Sequence, residues 1–125
     1  MKQEQRLQNQ VCDYLRLQYP SVMFMISPSG IKLTIGQAKS VKRNQNPSKG
    51  WPDLFIASPN TMYCGLFIEL KADGTRIFKR NGEFSSDHIE IQAAVHGVLH
   101  MKKYKACFAV GFDQAKKIID EYLKE

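Results

Sequence analysis

The order of hydrophobic and polar positions predicts a helix at the start of the chain. Leu7, Val11 and Leu15 recur at the spacing of an apolar helical stripe, within a segment from about residue 2 to residue 17. Pro20 follows this segment and is expected to end the helix, because proline lacks the backbone N–H that a helix requires. One face of this helix should therefore pack on the core.

Four short apolar segments bounded by turn residues are typical of β-strands. They cover residues 21–26, 53–57, 64–71 and 106–110. Further helices are predicted at 36–44, at 87–101 with Ser86 or Asp87 as the cap, and from a cap at Asp113 onwards, and a turn is predicted at 27–30. The order αβ(α)ββαβα predicts an α/β fold, with a mixed central β-sheet flanked by helices, in one domain of residues 1–125.

Composition narrows the class of protein. The chain has 125 residues, of which 43% are hydrophobic, enough for a globular domain. No apolar run approaches the roughly 20 residues that span a bilayer, and the N-terminus does not resemble a secretory signal, so no membrane partner is expected. Cys12, Cys64 and Cys107 are scattered among apolar residues and are expected to be buried, reduced thiols of an intracellular, cytoplasmic protein.

The charge distribution favours a polyanionic partner. The net charge is +6, and no Asp or Glu occurs between Tyr19 and Pro52. The alternative is that these basic residues simply form solvated surfaces. We expect phosphate contacts because the basic groups flank the acidic segment described next. The candidate nucleic-acid-binding residues are Lys32, Lys39, Lys42, Arg43, Lys49, Arg76, Lys79 and Arg80.

A pair of carboxylates and a lysine provide the candidate chemistry. Asp53 opens one predicted strand, and Glu69-x-Lys71 closes the next. Because side chains in a strand alternate between faces, Glu69 and Lys71 should point the same way. Burying two carboxylates and an ammonium group together in a core costs free energy, unless a divalent metal and an attacking water lie between them. The alternative is a salt-bridge network that joins the two carboxylates to Lys71.

These residues resemble the virus-type replication-repair nuclease (VRR-NUC) domain of the PD-(D/E)XK superfamily. The resemblance rests on Gly50-x-Pro52-Asp53, on Glu69-x-Lys71, on a helix with Gln92, and on Glu4 in the first helix. It covers essentially the whole chain, as in stand-alone phage or prophage members, and it implies a restriction-endonuclease-like core. Trp51 departs from the pattern, since the family usually has a smaller apolar residue there.

The resemblance implies a metal-dependent DNA endonuclease, acting on branched, flap or junction DNA in replication, repair or recombination. Asp53 and Glu69 are the candidate ligands of Mg²⁺ or Mn²⁺, because these hard cations prefer oxygen. The backbone carbonyl of Leu70 is a further ligand by resemblance. Glu4 would complete the shell, directly or through water.

Two other residues, Lys71 and Gln92, are expected to contact the phosphate or the attacking water. Lys71 can orient the attacking water and stabilise charge in the transition state. The resemblance implies that Gln92 hydrogen-bonds the nucleophile or a phosphate oxygen. His96 and His100 have i, i+4 spacing, but no further zinc ligands lie nearby, so we interpret them as packing or surface histidines.

Partners and rival functions follow from size and charge. A unit of this size covers little duplex, so a homodimer is expected, with Phe24, Trp51, Tyr63 and Phe78 as candidate contacts, although core packing is the default for each. No glycine-rich phosphate loop occurs, so no nucleotide cofactor is expected. The alternatives are a non-catalytic nucleic-acid-binding module on the same fold, an RNA-directed protein, and a restriction-type enzyme with a sequence-reading element.

Overall fold

The computed structural model describes residues 2–28 and 31–124, which form four helices and four strands. Part of the turn predicted at 27–30 lies outside the described residues. The elements are α1 (Gln3–Gln18), β1 (Phe24–Ile26), α2 (Ile35–Arg43), β2 (Leu54–Ile56), β3 (Leu66–Lys71), α3 (Asp87–Met101), β4 (Lys105–Val110) and α4 (Phe112–Leu123). The predicted order of elements is confirmed.

The four strands form one mixed sheet in the order β1-β2-β3-β4. β1, β2 and β3 are antiparallel neighbours, whereas β3 and β4 are parallel. The parallel pair needs a crossover, and α3 supplies it between the two strands. The predicted α/β fold with a mixed sheet is therefore confirmed.

The main core lies between the sheet and the pair α1 and α4. Leu66, Ile68 and Leu70 of β3 point into it, because alternate residues of a strand share a face. Fully burying a side chain of this size contributes about 1.5–3 kcal/mol. The buried members are Leu7, Val11, Leu15, Leu54, Ile56, Leu66, Ile68, Leu70, Ala109, Ala115, Ile119 and Tyr122.

A smaller apolar cluster covers the other face of the sheet. Val95 and Leu99 of α3 pack there against Ala106 of β4, with Phe67 of β3 beside them. Glu69 and Lys71 share the face of Phe67, because they alternate with the core-facing residues of β3. The sheet thus separates the apolar side of β3 from its charged side.

An acidic residue on α4 holds α1 in place. Asp120 Oδ1 accepts hydrogen bonds from the hydroxyls of Tyr14 at 2.5 Å and Tyr19 at 2.6 Å, and Lys116 Nζ lies 3.0 Å from Oδ2. Partial burial works against ionisation, but these hydrogen bonds outweigh it and hold the pKa of Asp120 at about 2. The tether fixes the position of α1, whose first turn carries Glu4.

Several predicted boundaries were wrong by a few residues. The first strand begins at Phe24 rather than at residue 21, because the N–H of Val22 is engaged in a turn with the carbonyl of Tyr19 at 3.0 Å. The last helix begins at Phe112, so Asp113 lies in its first turn and is not the cap. Gly111 occupies the cap position with φ 82°. At α3, Ser86 rather than Asp87 is the cap, and its side chain accepts from Ile89 N–H.

The thiols and the helices bear on two further expectations. All three cysteines have free thiols, but Cys64 is exposed, and Cys12 and Cys107 are only partly buried, so the prediction of buried cysteines was wrong for Cys64. Cys64 lies just before β3, where the chain enters the sheet. In residues 2–28 and 31–124, no helix is both long and apolar enough to span a membrane.

Candidate active site

One cavity of about 190 Å³ brings the predicted catalytic and metal-binding residues together. It lies where Asp53 and the last residues of β3 meet the first turns of α1 and α3. Residues that are far apart along the chain therefore meet in one place. The residues that line it are Glu4, Gln8, Gly50, Trp51, Asp53, Glu69, Leu70, Lys71, His88 and Gln92.

Asp53 precedes β2 and is fixed by the neighbouring strand. Leu54 pairs with Ile68 in the antiparallel ladder, so the register places Asp53 opposite Glu69. Asp53 Oδ2 accepts a hydrogen bond from the N–H of Leu70 at 2.8 Å, and its carbonyl accepts from Ser27 N–H at 2.7 Å. The carboxylate is therefore oriented by backbone groups.

Glu69 is a buried carboxyl group beside a second one, and only 4% of it is exposed. Burial raises its pKa well above the ordinary range, and the adjacent Asp53 raises it further, while Lys71 opposes the shift. Glu69 Oε1 is buried and has no hydrogen-bond partner among the described residues. A proton or a cation would satisfy this oxygen, and two adjacent carboxylates are the donor set that a hard divalent cation prefers.

Lys71 lies on the same face of β3 as Glu69 and is 8% exposed. Among the described residues, the salt bridges within 4.0 Å join Asp13 to Arg16 and Asp120 to Lys116, so no carboxylate lies at that distance from Lys71 Nζ. The alternative of a closed salt-bridge network is not observed. The ammonium group remains available for a substrate atom.

Gln92 and His88 form the wall contributed by α3. Gln92 Nε2 lies 3.1 Å from His88 Nε2, which accepts its hydrogen bond in the tautomer with the proton on Nδ1. Gln92 Oε1 is buried without a partner in the described chain. From the sequence, the spacing of one helical turn before Gln92 indicated that His88 could approach the site, and no catalytic role was assigned to it.

The first helix contributes Glu4 and, one turn later, Gln8. Glu4 is exposed, and within residues 2–28 and 31–124 no three His, Cys, Asp or Glu side chains are close enough together to surround one ion. Glu4 therefore lines the cavity without forming a three-carboxylate cluster with Asp53 and Glu69 in the described part of the chain. Gln8 is buried and was missed because a glutamine on an apolar stripe has no distinctive spacing.

Gly50 and Trp51 close the cavity on the side of α3. Gly50 has φ 92°, and a Cβ built on it would lie 2.8 Å from Val95 Cγ2 and 3.1 Å from Ile91 Cγ2. The backbone thus touches α3 directly. Trp51 Nε1 donates to the carbonyl of Pro47 at 3.0 Å, which holds the indole ring against the cavity wall.

The eight predicted nucleic-acid-binding residues are all exposed, and within the described chain none of them lines the cavity. Lys39, Lys42 and Arg43 lie on α2, a helix that buries no residue. Thr34 and Gln37 nevertheless fix the start of α2 through reciprocal side-chain-to-backbone hydrogen bonds. The basic residues therefore form solvent-facing surfaces, and their role remains a prediction.

The paired histidines of α3 point to different partners. The ring of His96 is buried, with its centroid 4.6 Å from that of Phe108. Burial lowers the pKa of His96 to about 4, and His100 and Lys71 add to the effect. His100 Nε2 instead lies 3.1 Å from the carbonyl of Ala106. His96 is therefore a packing histidine and His100 an exposed one, as expected from the sequence for packing or surface histidines.

The fold and the cavity define a restriction-endonuclease-like α/β domain, with a carboxylate before β2 and a Glu-x-Lys unit on β3. Among solved structures, the chain is similar to a protein described as "VRR_NUC domain protein", with 25% identity and a TM-score of 0.71. The match covers 99% of this chain and 90% of that chain. The resemblance to the VRR-NUC domain, a nuclease domain family, is therefore confirmed. No protein-family model and no curated protein matches the sequence.

Proposed function

We propose that this chain is a divalent-metal-dependent endonuclease that hydrolyses phosphodiester bonds in DNA, with a preference for branched, flap or junction substrates. One observation carries the proposal. Oε1 of buried Glu69, which has no hydrogen-bond partner in the described part of the chain, lies beside the carboxylate of Asp53, in a cavity that also contains the buried ammonium group of Lys71. A protein that only bound DNA would gain nothing from carboxylates buried near phosphate.

The proposed cofactor is Mg²⁺ or Mn²⁺. Asp53 and Glu69 would hold it, with the carbonyl of Leu70 and the carboxylate of Glu4 as further candidates, since both residues line the same cavity. When bound, such an ion supplies Lewis-acid polarisation of the phosphate and lowers the pKa of a bound water. The raised pKa of Glu69 supports this assignment, because a cation would relieve the cost of ionising a buried carboxyl group.

The remaining residues would act on the water and the phosphate. Lys71 would donate to a non-bridging phosphate oxygen and stabilise the charge that grows there during attack. Gln92 Oε1, which is buried without a partner among the described residues, would accept a hydrogen bond from the attacking water. His88 would hold the Gln92 amide in the orientation that leaves Oε1 facing the cavity. Together they would position the nucleophile in line with the scissile bond.

The DNA strands would be held by the exposed basic residues on α2 and on the segment after β3. Such contacts supply affinity without sequence preference, and they weaken as salt increases. Two copies related by a two-fold axis would present two cavities to two strands, which is why we also propose a homodimer. Sedimentation analysis of the purified protein tests this part separately.

The test is a cleavage assay with the wild-type protein, Glu69→Gln, and Glu121→Gln as a matched control on the exposed side of α4. Duplex, single-stranded, flapped and four-way-junction DNA would be compared in Mg²⁺, Mn²⁺ and EDTA. We expect cutting that requires the metal, is lost in Glu69→Gln and is unchanged in Glu121→Gln. Cutting in EDTA, or by Glu69→Gln at the wild-type rate, would refute the proposed mechanism.

The rival function is a binding module without catalysis. It is favoured by the solvent-facing basic residues, which suffice to bind a polyanion on their own. Binding of every DNA substrate without cutting in either metal would support this module. Stronger competition by duplex RNA than by duplex DNA would redirect the proposal to an RNA substrate.

A further inference from the structure

We propose that the hairpin formed by residues 76–85 is an aromatic wedge, which selects branched DNA by stacking Phe78 on the base exposed where a duplex opens. The inference rests on the proposed function and names the element that would select the substrate. It assigns a role to a segment whose basic residues alone would not distinguish one DNA shape from another.

The hairpin is a defined structural element. Phe78 and Phe84 form an antiparallel bridge, and Ser85 N–H donates to the carbonyl of Ile77 at 2.9 Å. At the tip, Lys79 N–H donates to the Glu83 carbonyl at 2.7 Å, and the turn contains Gly82 with φ 87°. These bonds hold the two aromatic residues side by side at the base of the turn.

Phe78 is half exposed although it is a large apolar residue. Its ring stacks on that of Phe84, with centroids 5.1 Å apart and planes 27° from parallel. Phe84 therefore supports one face of the ring, while 52% of Phe78 remains accessible to solvent. An aromatic ring held flat in this way offers its second face to another planar group.

The charges around this ring indicate which partner would supply the planar group. Arg76, Lys79 and Arg80 are exposed within the hairpin, and Glu83 is its one acidic residue. A cationic surface with an exposed aromatic ring is the combination that binds unpaired nucleotides, because phosphates contact the cations and a base stacks on the ring. The same cations on a second copy of this chain would be repelled by this surface, so the proposed homodimer would form through another surface than Phe78.

The hairpin is connected at both ends to the cavity. The chain leaves the cavity at Lys71 and returns to it at His88, after the Ser86 cap of α3. The stretch between Lys71 and Phe78 reaches at most about 25 Å when fully extended. That distance corresponds to about seven base steps of duplex DNA. A base stacked on Phe78 would therefore lie within about seven nucleotides of a phosphate bound at Glu69.

Stacking on Phe78 would discriminate between DNA shapes. In a continuous duplex both faces of every internal base are already stacked, so the ring could enter only by separating two base pairs. A flap or a junction presents a base face at no such cost, in addition to the ends that it shares with a continuous duplex of equal length. The ring would therefore strengthen binding to branched substrates and contribute little on a continuous duplex.

The experiment measures binding without cleavage, by fluorescence anisotropy in EDTA. Phe78→Ala, Phe78→Trp and Met62→Ala are compared on flapped and continuous duplexes of equal length. Met62→Ala is the matched control, because Met62 is 68% exposed and lies in another loop. For Phe78→Ala we expect about tenfold weaker binding to the flap and no more than about a twofold change on the duplex. Phe78→Trp and Met62→Ala should keep the wild-type preference, and thermal unfolding of each variant checks that it folds.

A second readout uses 2-aminopurine placed at the branch. Its fluorescence should be quenched by the wild-type protein and by Phe78→Trp, but not by Phe78→Ala. Equal loss of binding on both substrates, no loss on either, or a change of oligomeric state in Phe78→Ala would overturn the wedge proposal.

The outcomes also separate the wedge proposal from the nuclease proposal. If the wild type cuts no DNA in either metal but Phe78 still controls flap binding, the nuclease proposal fails and the wedge proposal stands. If the wild type cuts normally and Phe78→Ala keeps its flap preference, the wedge proposal fails and the nuclease proposal stands.

Discussion

Asp53 is bound to the backbone of the neighbouring strand, since its Oδ2 accepts the N–H of Leu70 at 2.8 Å. This hydrogen bond joins β2 to β3 at the point where both enter the cavity, and it orients one carboxylate relative to Glu69. The same side chain therefore has a structural role, which depends on an oxygen acceptor, and a proposed catalytic role, which depends on negative charge. Substitutions can separate the two roles.

Asp53→Asn keeps an oxygen that can accept from Leu70 but removes the charge. We expect metal-dependent cutting to fall by at least about 100-fold, while the free energy of unfolding changes little. Asp53→Ala also leaves the Leu70 N–H without its acceptor and should cost about 1–3 kcal/mol of stability. Cleavage rates and thermal unfolding in EDTA distinguish the two variants. Wild-type cutting by Asp53→Asn would remove this carboxylate from the site.

Glu69→Gln should stabilise the metal-free protein. Because the pKa of Glu69 is raised on folding, its contribution to stability is present in full below about pH 4.5 and is lost as the pH rises. A glutamine does not ionise and avoids this loss, so we expect a gain of about 1–3 kcal/mol at pH 8 and a smaller gain at pH 5. Chemical denaturation in EDTA at both pH values measures the difference.

The same variant should lose its response to metal. Mn²⁺ or Mg²⁺ that binds only the folded wild-type protein raises its melting temperature by mass action. Glu69→Gln should show a much smaller rise under the same conditions, because one proposed ligand has lost its charge. An equal rise in both proteins would place the metal elsewhere.

Lys71→Met should separate turnover from metal binding. Methionine keeps most of the aliphatic volume of the buried side chain but carries no charge. We expect the cleavage rate to fall by at least about 100-fold, whereas the metal-induced rise in melting temperature persists. Single-turnover kinetics at saturating metal and a thermal titration measure the two effects. Cutting by Lys71→Met close to the wild-type rate would refute its proposed role at the phosphate.

His96 should make the fold sensitive to mild acid. Its pKa is lowered from 6.5 to about 4, so its contribution to stability is present above pH 6.5 and is lost as the pH falls towards 4. At roughly 1.4 kcal/mol per pKa unit, the loss is at most about 3 kcal/mol. The stability of His96→Leu should decline less over this range, as measured by urea denaturation from pH 7 to pH 4. Parallel declines in the two proteins would contradict the assignment.

The sequence predicted the carboxylate face because the relevant rule is local. Glu69 and Lys71 alternate with core residues in β3, and period-two alternation holds in any strand. The bounds of α3 were also predicted correctly at Asp87–Met101, because apolar periodicity and the Ser86 cap are both local signals. The order of elements followed from such signals taken one after another along the chain.

The features that sequence reasoning missed depend on contacts between distant elements. Gln8 reaches the cavity only because α1 converges on the ends of β2 and β3. Gly111, and not Asp113, is the cap of α4, because the turn from β4 into α4 requires a residue with φ 82°. The stacking of Phe78 on Phe84 likewise requires the hairpin to form first.

Gly50 determines how wide the cavity is. A Cβ there would lie so close to Val95 and Ile91 that it would push α3 away from the segment carrying Asp53. Gln92 and His88 would move with the helix. A residue with no side chain thus sets the distance between the carboxylates of Asp53 and Glu69 and the amide of Gln92. Gly50→Ala would change this distance, and with it the rate of the proposed reaction, while leaving every reactive group in place.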